Sequence, residues 1–209
     1  MKNLLIAGAG GHGKVVAEAA MESGRWEKIA FADDLFPGLS SVYDWPVLGR
    51  IDQIPEFQSD YTDLAVAIGN NFLRIGWLNQ FQSLGFQIPV IIHPQAYVGR
   101  SVSVQPGTVI LAKAVINIGT MVGKGCIINT AAIVEHDCEL GDGVHVSPGA
   151  NVAGGVFIGE YSWIGIGASI IQEVRVGKNV TVGAGAVLIG NIPDGLTVIG
   201  VPGKPVYKE

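Results

Sequence analysis

Apolar residues recur with a period of six along the second half of the chain. From Ile92 to Leu188 each group of six opens with Ile, Val or Leu, and its fifth residue is Val or smaller in every group but the last. The aliphatic residue of such a hexad fills an interior, and the small residue lets the chain turn a corner. The opening residues are Ile92, Val98, Val104, Ile110, Ile116, Val122, Ile128, Val134, Leu140, Val146, Val152, Ile158, Ile164, Ile170, Val176, Val182 and Leu188.

This hexad pattern predicts a parallel β-helix, whose coils bury a continuous apolar column only by stacking. Three hexads make one triangular coil, so residues eighteen apart in the sequence stack on one another. We therefore predict an all-β domain of stacked coils at residues 92–209, including a C-terminal tail.

Residues 1–91 instead alternate between short apolar runs and helical segments. Alternating strands and helices predict an α/β domain with a small parallel sheet of Rossmann type. The segment from Leu35 to Phe57 is rich in turn residues and predicts no element. The predicted order is strand KNLLIAG, helix KVVAEAAMESG, strand EKIAFADD, strand DLAVAIGN, helix NFLRIGWLNQFQSLG and strand QIPVII.

Composition and charge narrow the possible partners. The chain has 209 residues and a formal net charge of -5 without a basic stripe, so neither nucleic acid nor an anionic membrane surface is expected as a partner. No apolar run approaches the ~18 residues of a membrane span, and the first run is too short for a signal peptide. Cys126 and Cys138 fall at inward fifth positions, where we expect buried reduced thiols, which favours a cytoplasmic protein.

A glycine turn between the first strand and the first helix predicts a phosphate site. The sequence GAGGHG at residues 8–13 fits the G-x-G-x-x-G pattern, whose bare amides at a helix N-terminus favour the phosphates of NAD or of another nucleotide. His12 lies among these amides, where it would contact the phosphate. Asp33 and Asp34 follow the second strand at about the spacing of a ribose contact.

A charged cluster interrupts the hexads at Glu135, His136, Asp137 and Glu139, where neighbouring hexads carry Gly, Ala and Thr. Imidazole has an ordinary pKa near 6.5 and is suited to taking a proton near pH 7. Asp137 would orient the ring if the corner turned both side chains to one side, since neighbouring side chains on a flat strand point apart. His136 and Asp137 are therefore the candidate catalytic pair.

Several motifs together resemble one enzyme family along nearly the whole chain. They are GAGGHGKV, FADD and AIGNN in the first domain, and NTAAIVEHDCELGDGVHVSPGANVAGGV and IGVPGKPV in the second. This set is similar to the bacterial UDP-4-amino-sugar N-acetyltransferases, hexapeptide-repeat acyltransferases that are close to the sialic acid O-acetyltransferases. The resemblance implies a left-handed β-helix that binds acetyl-CoA, an N-terminal domain that binds the UDP-sugar, and a homotrimer.

The resemblance also assigns roles to individual residues. It makes His136 the base and Asp137 its enhancer, and it implies acetyl-CoA contacts at His145, Ile166 and Ala184. Family members commonly carry Ser at the position of Gly10, so a hydroxyl contact is missing there. The implied UDP-sugar contacts are Gly10, Gly11, His12, Asp33, Asp34, Leu35 and Gly69.

Stacking adds residues to the expected acetyl-CoA site. Gly154 lies one coil beyond the base, where a missing side chain would leave room for a ligand and a backbone N–H would meet the thioester oxygen. Pro148, Ile166 and Ala184 stack into an apolar groove suited to a pantetheine arm. Near the end, GVPGKP resembles the GVPAK tail of hexapeptide acyltransferases, and Lys204 within it would suit the CoA phosphates.

Three other activities compete with acetyl transfer to an amine. A zinc hydratase like the γ-class carbonic anhydrases needs three converging histidines, and the H-x4-H pair typical of that family is missing, so we expect no metal site. An NAD-dependent oxidoreductase would use the glycine turn and leave the β-helix without a task. Sialic acid O-acetylation would use the same base on a hydroxyl group and stays open.

The expected reaction is acetylation of the 4-amine of a UDP-4-amino-4,6-dideoxy-N-acetylhexosamine, with acetyl-CoA as the co-substrate. Asp33 and Asp34 would repel a free sialic acid, which is itself an anion. They would instead accept hydrogen bonds from uracil or ribose, while the glycine turn and His12 bind the pyrophosphate.

Overall fold

The computed structural model describes residues 2–206, and the chain divides between Pro94 and Gln95 into two compact units. The sequence places this division a little earlier, after residue 91. The outer limits of the two predicted domains, residues 1 and 209, lie outside the described residues.

The first unit contains a five-stranded sheet in the order β3-β4-β2-β1-β5. Strands β4, β2, β1 and β5 are parallel, and β3 pairs with β4 in the antiparallel sense. The strands are β1 (Lys2–Ala7), β2 (Trp26–Ala32), β3 (Ser41–Val42), β4 (Trp45–Gly49) and β5 (Asp63–Val66). The other elements are helices α1 (Gly11–Glu22) and α2 (Asn71–Ser83), a 3-10 helix (Ile51–Phe57) and the short strand β6 (Ile91–Ile92).

The buried centre of this sheet follows from its apolar runs. Leu4, Leu5 and Ile6 of β1 are consecutive and fully buried, as in a parallel strand that is covered on both faces. Helix α1 begins at Gly11, earlier than predicted, so the last three residues of the glycine turn form its first turn. Position 13 has to be Gly because a Cβ there would collide with the carbonyl oxygen of Gly8.

The prediction failed in two segments of the first unit. The sequence predicts no element in the segment that contains strands β3 and β4 and the 3-10 helix. The Pro and Gly residues of this segment are typical of turns, so its two short strands were not predicted. The predicted strand QIPVII is reduced to β6 (Ile91–Ile92), and Gln87 forms only an isolated bridge with Asp63.

The second unit is a triangular β-helix built from two-residue and three-residue strands. Its first face contains Tyr97–Val98, Val115–Ile116, Ile133–Val134, Asn151–Val152, Ser169–Ile170 and Val187–Leu188. Its second face contains Ser103–Val104, Met121–Val122, Glu139–Leu140, Phe157–Ile158 and Arg175–Val176. Its third face contains Val109–Ile110, Ile127–Ile128, His145–Val146, Trp163–Ile164, Thr181–Val182, Thr197–Ile199 and Lys204–Val206.

The predicted register is present throughout these faces. Val115 pairs in parallel with Ile133, and Ile133 pairs with Asn151, so each step from coil to coil is eighteen residues. The opening residues of the hexads point inward, as at the fully buried Ile116 and Val134. Cys126 and Cys138 are both buried and neither forms a disulfide.

The corners of the β-helix share one backbone feature. In every hexad from Val98 to Val182 the fourth residue has a positive φ, which turns the chain from one face to the next. Glycine fills many of these positions. The others are Ser101, Lys113, Ala131, Asp137, Tyr161, Glu173 and Asn179.

No helix within residues 2–206 combines the length and the apolar character that crossing a membrane requires.

Candidate active site

His136 and Asp137 form a hydrogen-bonded pair at an exposed corner. The Nδ1 atom of His136 lies 2.8 Å from Oδ2 of Asp137. Asp137 occupies the fourth position of its hexad with φ +58°, so the corner turns its side chain to the same side as that of His136. The geometric condition for the pair is therefore met. The carboxylate accepts from an Nδ1–H, which leaves Nε2 as the basic atom of the neutral ring.

The space beside this pair is filled differently from the prediction. A Cβ built on Gly154 would lie 2.6 Å from both Cε1 and Nε2 of His136. The room left by the missing side chain of Gly154 is thus taken by the imidazole itself, and the expectation that it is reserved for a ligand was wrong. The ring is instead accessible from solvent, since 58% of the His136 side chain is exposed.

The remaining acids of the charged cluster point elsewhere. Oε2 of Glu135 accepts a 2.7 Å hydrogen bond from Nδ2 of Asn117, which lies in the preceding coil. Glu139 stands outward on the second face. Asp137 is therefore the carboxylate of this cluster that contacts the histidine.

The residues expected to bind acetyl-CoA lie away from the base within one chain. His136 and Gly154 belong to the edge between the first and second faces. Ile166 and Ala184 are exposed on the edge between the third and first faces, where Pro148 is half-buried. Within one chain, the candidate base and the candidate groove therefore lie on different edges of the β-helix.

His145 belongs to the third face, where it is part of an aromatic cluster. Its ring stacks on Trp163 with centroids 5.7 Å apart, and its Nε2 lies 3.2 Å from Nδ2 of Asn129. Nε1 of Trp163 in turn donates a 2.7 Å hydrogen bond to Oγ of Ser147. The hexad pattern alone did not single out Trp163 as a candidate site residue. A tryptophan at the outward-facing sixth position of a hexad could have indicated it.

Lys204 is exposed on the last strand of the third face, Lys204–Val206, which pairs in the antiparallel sense with Thr197–Ile199. Its position at the end of the β-helix leaves its ammonium available to an anionic ligand.

In the first unit, the glycine turn leaves an open surface at the carboxyl end of β1. Apart from neighbouring residues of its own turn or helix, a Cβ on Gly10, Gly11 or Gly69 would meet nothing within 4 Å among residues 2–206. The first amides of a helix have no partner inside it, so those of α1 are free to serve an anion. Strand order reverses between β1 and β5, and ligands of open α/β sheets bind at such a switch point.

Asp33 braces the glycine turn from the end of β2. Its Oδ2 accepts a 2.8 Å hydrogen bond from the N–H of Ala9, and its Oδ1 accepts one of 3.0 Å from the N–H of Leu35. Both oxygens thus hold the chain itself. The side chain of Leu35 is exposed beside them.

Asp34 is more accessible than Asp33. Its Oδ1 accepts a hydrogen bond from the N–H of Ile51 and lies 3.7 Å from Nη2 of Arg50, and 58% of its side chain is exposed. Arg50 lies in the segment that predicted no element, so the sequence did not reveal this partner.

His12, the predicted phosphate contact, is largely buried. Burial, with a smaller effect of Arg74, lowers its pKa to about 4. The imidazole is therefore neutral near pH 7 and offers a ligand one N–H rather than a positive charge. Within the described residues its buried Nε2 has no hydrogen-bond partner.

Arg74 is a second residue that the sequence did not reveal. Its side chain is fully buried on α2, where Nη1 donates 2.9 Å to the carbonyl of Ile68 and Nη2 donates 2.8 Å to Oδ1 of Asn71. These bonds fix the loop after β5 that carries Gly69.

Across residues 2–206, no three His, Cys, Asp or Glu side chains are close enough together to hold a metal ion.

We predict that His12 makes the protein less stable in mild acid. Its pKa is lowered in the folded state, so below pH 6.5 the unfolded chain binds more protons and stability falls as the pH falls towards 4. Over this window the loss amounts to at most about 3 kcal/mol. Urea unfolding of the wild type and of His12→Gln at equal protein concentration, from pH 7 to pH 4, should show the wild type losing stability relative to the variant as the pH falls. A difference that stays constant with pH would contradict the prediction.

Both units match models of known protein families. The model of the PglD N-terminal domain matches residues 3–81, and the model of the bacterial transferase hexapeptide, which has six repeats, matches residues 155–190. A curated relative, UDP-N-acetylbacillosamine N-acetyltransferase of Bacillus subtilis strain 168, is 36% identical over 114 residues. That match covers 54% of this chain and 52% of the relative, so the chain spans about half the length of that relative.

Some solved structures match over nearly the whole chain. The acetyltransferase domain of PglB from Neisseria gonorrhoeae FA1090, in complex with acetyl coenzyme A, is 46% identical with a TM-score of 0.94, covering 98% of this chain and 99% of that one. A histidine-to-alanine mutant of GDP-perosamine N-acetyltransferase from Caulobacter crescentus, in complex with CoA and GDP-perosamine, is 36% identical with a TM-score of 0.94. This second match covers 100% of the present chain and 98% of the Caulobacter crescentus protein.

These matches confirm the predicted fold class, an α/β N-terminal domain followed by a left-handed β-helix. Identities well above 30% over nearly complete chains also settle the family. The chain belongs to the hexapeptide-repeat sugar N-acetyltransferases that carry a PglD N-terminal domain.

Proposed function

We propose that this protein transfers the acetyl group of acetyl-CoA to the 4-amine of a UDP-4-amino-4,6-dideoxy-N-acetylhexosamine, giving a UDP-diacetamido sugar for bacterial glycan synthesis. The observation that carries the proposal is the exposed His136–Asp137 hydrogen bond on a β-helix of this family. A base with one nitrogen held by a carboxylate and the other available is what acetylation of an amine requires.

The relatives support both substrates. One relative is named for a UDP-linked sugar, a second has acetyl coenzyme A bound, and a third has both CoA and GDP-perosamine bound. Nucleotide sugars and CoA thus recur across the family, while the nucleotide base differs between members.

The chemistry assigned to the pair is a proton transfer. Nε2 of His136 takes a proton from the sugar amine, whose nitrogen forms a bond to the thioester carbon. Asp137 holds Nδ1–H and stabilises the imidazolium that forms. The C–S bond then breaks, and His136 returns the proton to the departing thiolate, so the base is regenerated. The N–H of Gly154 would polarise the thioester oxygen.

The two substrates use different sets of residues. Acetyl-CoA is assigned to His145, Gly154, Ile166, Ala184 and Lys204, with the exposed Ile166 and Ala184 flanking the pantetheine arm. For the UDP-sugar, the amides at Gly10 and Gly11 and the neutral His12 N–H face the pyrophosphate, and Asp34, Leu35 and Gly69 face the nucleoside. Asp33 supports this site by holding the turn.

The functional unit is proposed to be a homotrimer. His136 and Ile166 lie on different edges of one β-helix, so the base and the groove can line one site only if copies pack side by side. In a closed three-fold arrangement, the edge of one copy meets the groove of the next.

The proposed location is the cytoplasm. Two buried thiols that form no disulfide suit a reducing compartment.

We predict that His136→Ala lowers kcat by at least ~10²-fold, the usual contribution of a general base, with little change in CoA affinity. Asp137→Ala should cost less, because the imidazole keeps its nitrogen and loses only its orienting partner. Steady-state kinetics and CoA calorimetry check both variants. Lys178→Ala, the same hexad position on another edge, serves as the control. Near-normal turnover of His136→Ala at pH 7 would remove His136 from the mechanism.

The acceptor is tested by an acetyl-CoA consumption assay. We expect turnover with a UDP-4-amino-4,6-dideoxy-N-acetylhexosamine and little with CMP-sialic acid or free sialic acid. The reason is that the negative charges of Asp33 and Asp34 would repel the carboxylate of a sialic acid. The GDP-linked 4-amino sugar in a parallel reaction reports the choice of base. Turnover of a sialic acid without turnover of the UDP-amino sugar would overturn the proposed function.

The shared site is tested by complementation between two inactive variants. His136→Ala lacks the base and Ile166→Glu blocks the groove. In mixed trimers formed by co-expression in equal amounts, about a quarter of the sites should pair an intact base with an intact groove, restoring that share of activity. A site formed within one chain predicts no recovery above the two separate variants.

A further inference from the structure

The corner that carries the catalytic pair rests on one corner of the preceding coil, residues 117–120. The N–H of Asp137 donates a 3.1 Å hydrogen bond to the carbonyl of Ile118. The two residues that follow, Gly119 and Thr120, make the contacts that decide where the pair lies.

Gly119 lies against the carboxylate of Asp137. A Cβ built on Gly119 would be 2.5 Å from Oδ1 of Asp137, the oxygen that does not contact the histidine. The other oxygen, Oδ2, is the one 2.8 Å from Nδ1 of His136. Because the two oxygens belong to one rigid group, displacing Oδ1 also displaces Oδ2 and so disturbs its contact with the imidazole.

A positive φ strains a side chain at Gly119, but this strain is shared by other residues of the same row. Its φ is +78°, but Ala131 and Asp137 occupy the same hexad position with φ +55° and +58°. This row of the β-helix accepts side chains at positive φ. The close approach of the carboxylate is therefore the feature at Gly119 that a side chain would disturb.

Thr120 holds the backbone on both sides of the pair. Its buried Oγ1 donates a 2.8 Å hydrogen bond to the carbonyl of Glu135 and accepts one of 3.3 Å from the N–H of Cys138. These two residues flank His136 and Asp137 directly. The hydroxyl thus fixes the ends of the turn from inside the β-helix.

The same device occurs at a corner without a catalytic pair, which provides a control. Oγ1 of the buried Thr108 donates 2.8 Å to the carbonyl of Gly123 and accepts 3.0 Å from the N–H of Cys126. Thr108 and Thr120 therefore make equivalent bonds, and only those of Thr120 hold the His136–Asp137 turn.

We propose that Gly119 and Thr120 are positioning residues for the base, Gly119 by seating the carboxylate of Asp137 and Thr120 by fixing the turn that presents both side chains. The proposal rests on the proposed function in taking His136 as the base. Both residues are assigned an indirect role, through the position of the pair.

Gly119→Ala is the first test. We expect kcat to fall by about 10- to 100-fold, as for a misplaced catalytic group, with the KM for acetyl-CoA unchanged. The matched control is Gly195→Ala, which has a similar φ of +73° and, apart from its neighbours in the chain, no contact within 4 Å of the added Cβ among residues 2–206. It should retain wild-type kcat.

A double-mutant cycle separates positioning from general damage. If Gly119 acts through the carboxylate, Gly119→Ala should lower kcat little further in an Asp137→Ala background. Additive losses in the cycle, or an unchanged kcat in Gly119→Ala alone, would overturn the role of Gly119.

Thr120→Val and Thr108→Val form the second test. Each removes the hydroxyl that pairs with one half-buried carbonyl and one buried amide of a corner, so we expect similar losses of Tm. Only Thr120→Val should lose kcat, again with the KM for acetyl-CoA unchanged. Equal kcat values for the two variants would show that the Thr120 clamp is structural alone.

A measurement without substrate keeps this proposal distinct from the proposed function. The chain has four histidines, so in protein labelled with [15N]histidine the His136 signals can be assigned by their loss in His136→Ala. Gly119→Ala should change the Nδ1 signal in the way Asp137→Ala does, and Gly195→Ala should not. This result holds even if the wild type fails to acetylate the UDP-amino sugar, and an unchanged Nδ1 signal in Gly119→Ala contradicts the seating of Asp137.

Discussion

The eighteen-residue stacking register, with one left-handed residue at each corner, is the constraint on which the rest of this structure depends. On a flat strand, side chains of adjacent residues point to opposite faces. At a corner, the positive φ of Asp137 brings its carboxylate to the same side as the imidazole of His136. A sequence-adjacent pair can therefore act as one unit, and the next and previous coils supply the surfaces against which it is held.

The same register places residues that do not stack on different edges of the β-helix. Residues in one column share an edge, so the base has Gly154 and the 117–120 corner as neighbours, while Ile166 lies on another edge. This geometry makes association of copies a chemical requirement of the proposed site. In the first unit, by contrast, loops at the carboxyl ends of strands carry the open glycines, and the buried Arg74 and the carboxylate of Asp33 fix those loops from behind.

Much of the second unit could be predicted because a hexad fixes both the interior residues and the stacking partners. The pair of His136 and Asp137 was predicted with a stated geometric condition, which the corner meets. The position of the imidazole over Gly154 was not, because periodicity identifies neighbours without giving the direction of a side chain. In the first unit, the neutral state of His12 and the bracing role of Asp33 depend on burial and on single hydrogen bonds, and neither leaves a trace in sequence spacing.

The central claim is that the His136–Asp137 pair faces the acceptor amine. A crystal structure of the wild-type protein with CoA and the UDP-4-amino sugar, a complex without an acetyl group to transfer, tests it most directly. The account predicts the 4-amine nitrogen within hydrogen-bond distance of Nε2 of His136, about 3 Å, with Nδ1 still on Asp137. An ordered sugar whose amine contacts another side chain, or an Asp137 turned away from the ring, would contradict it.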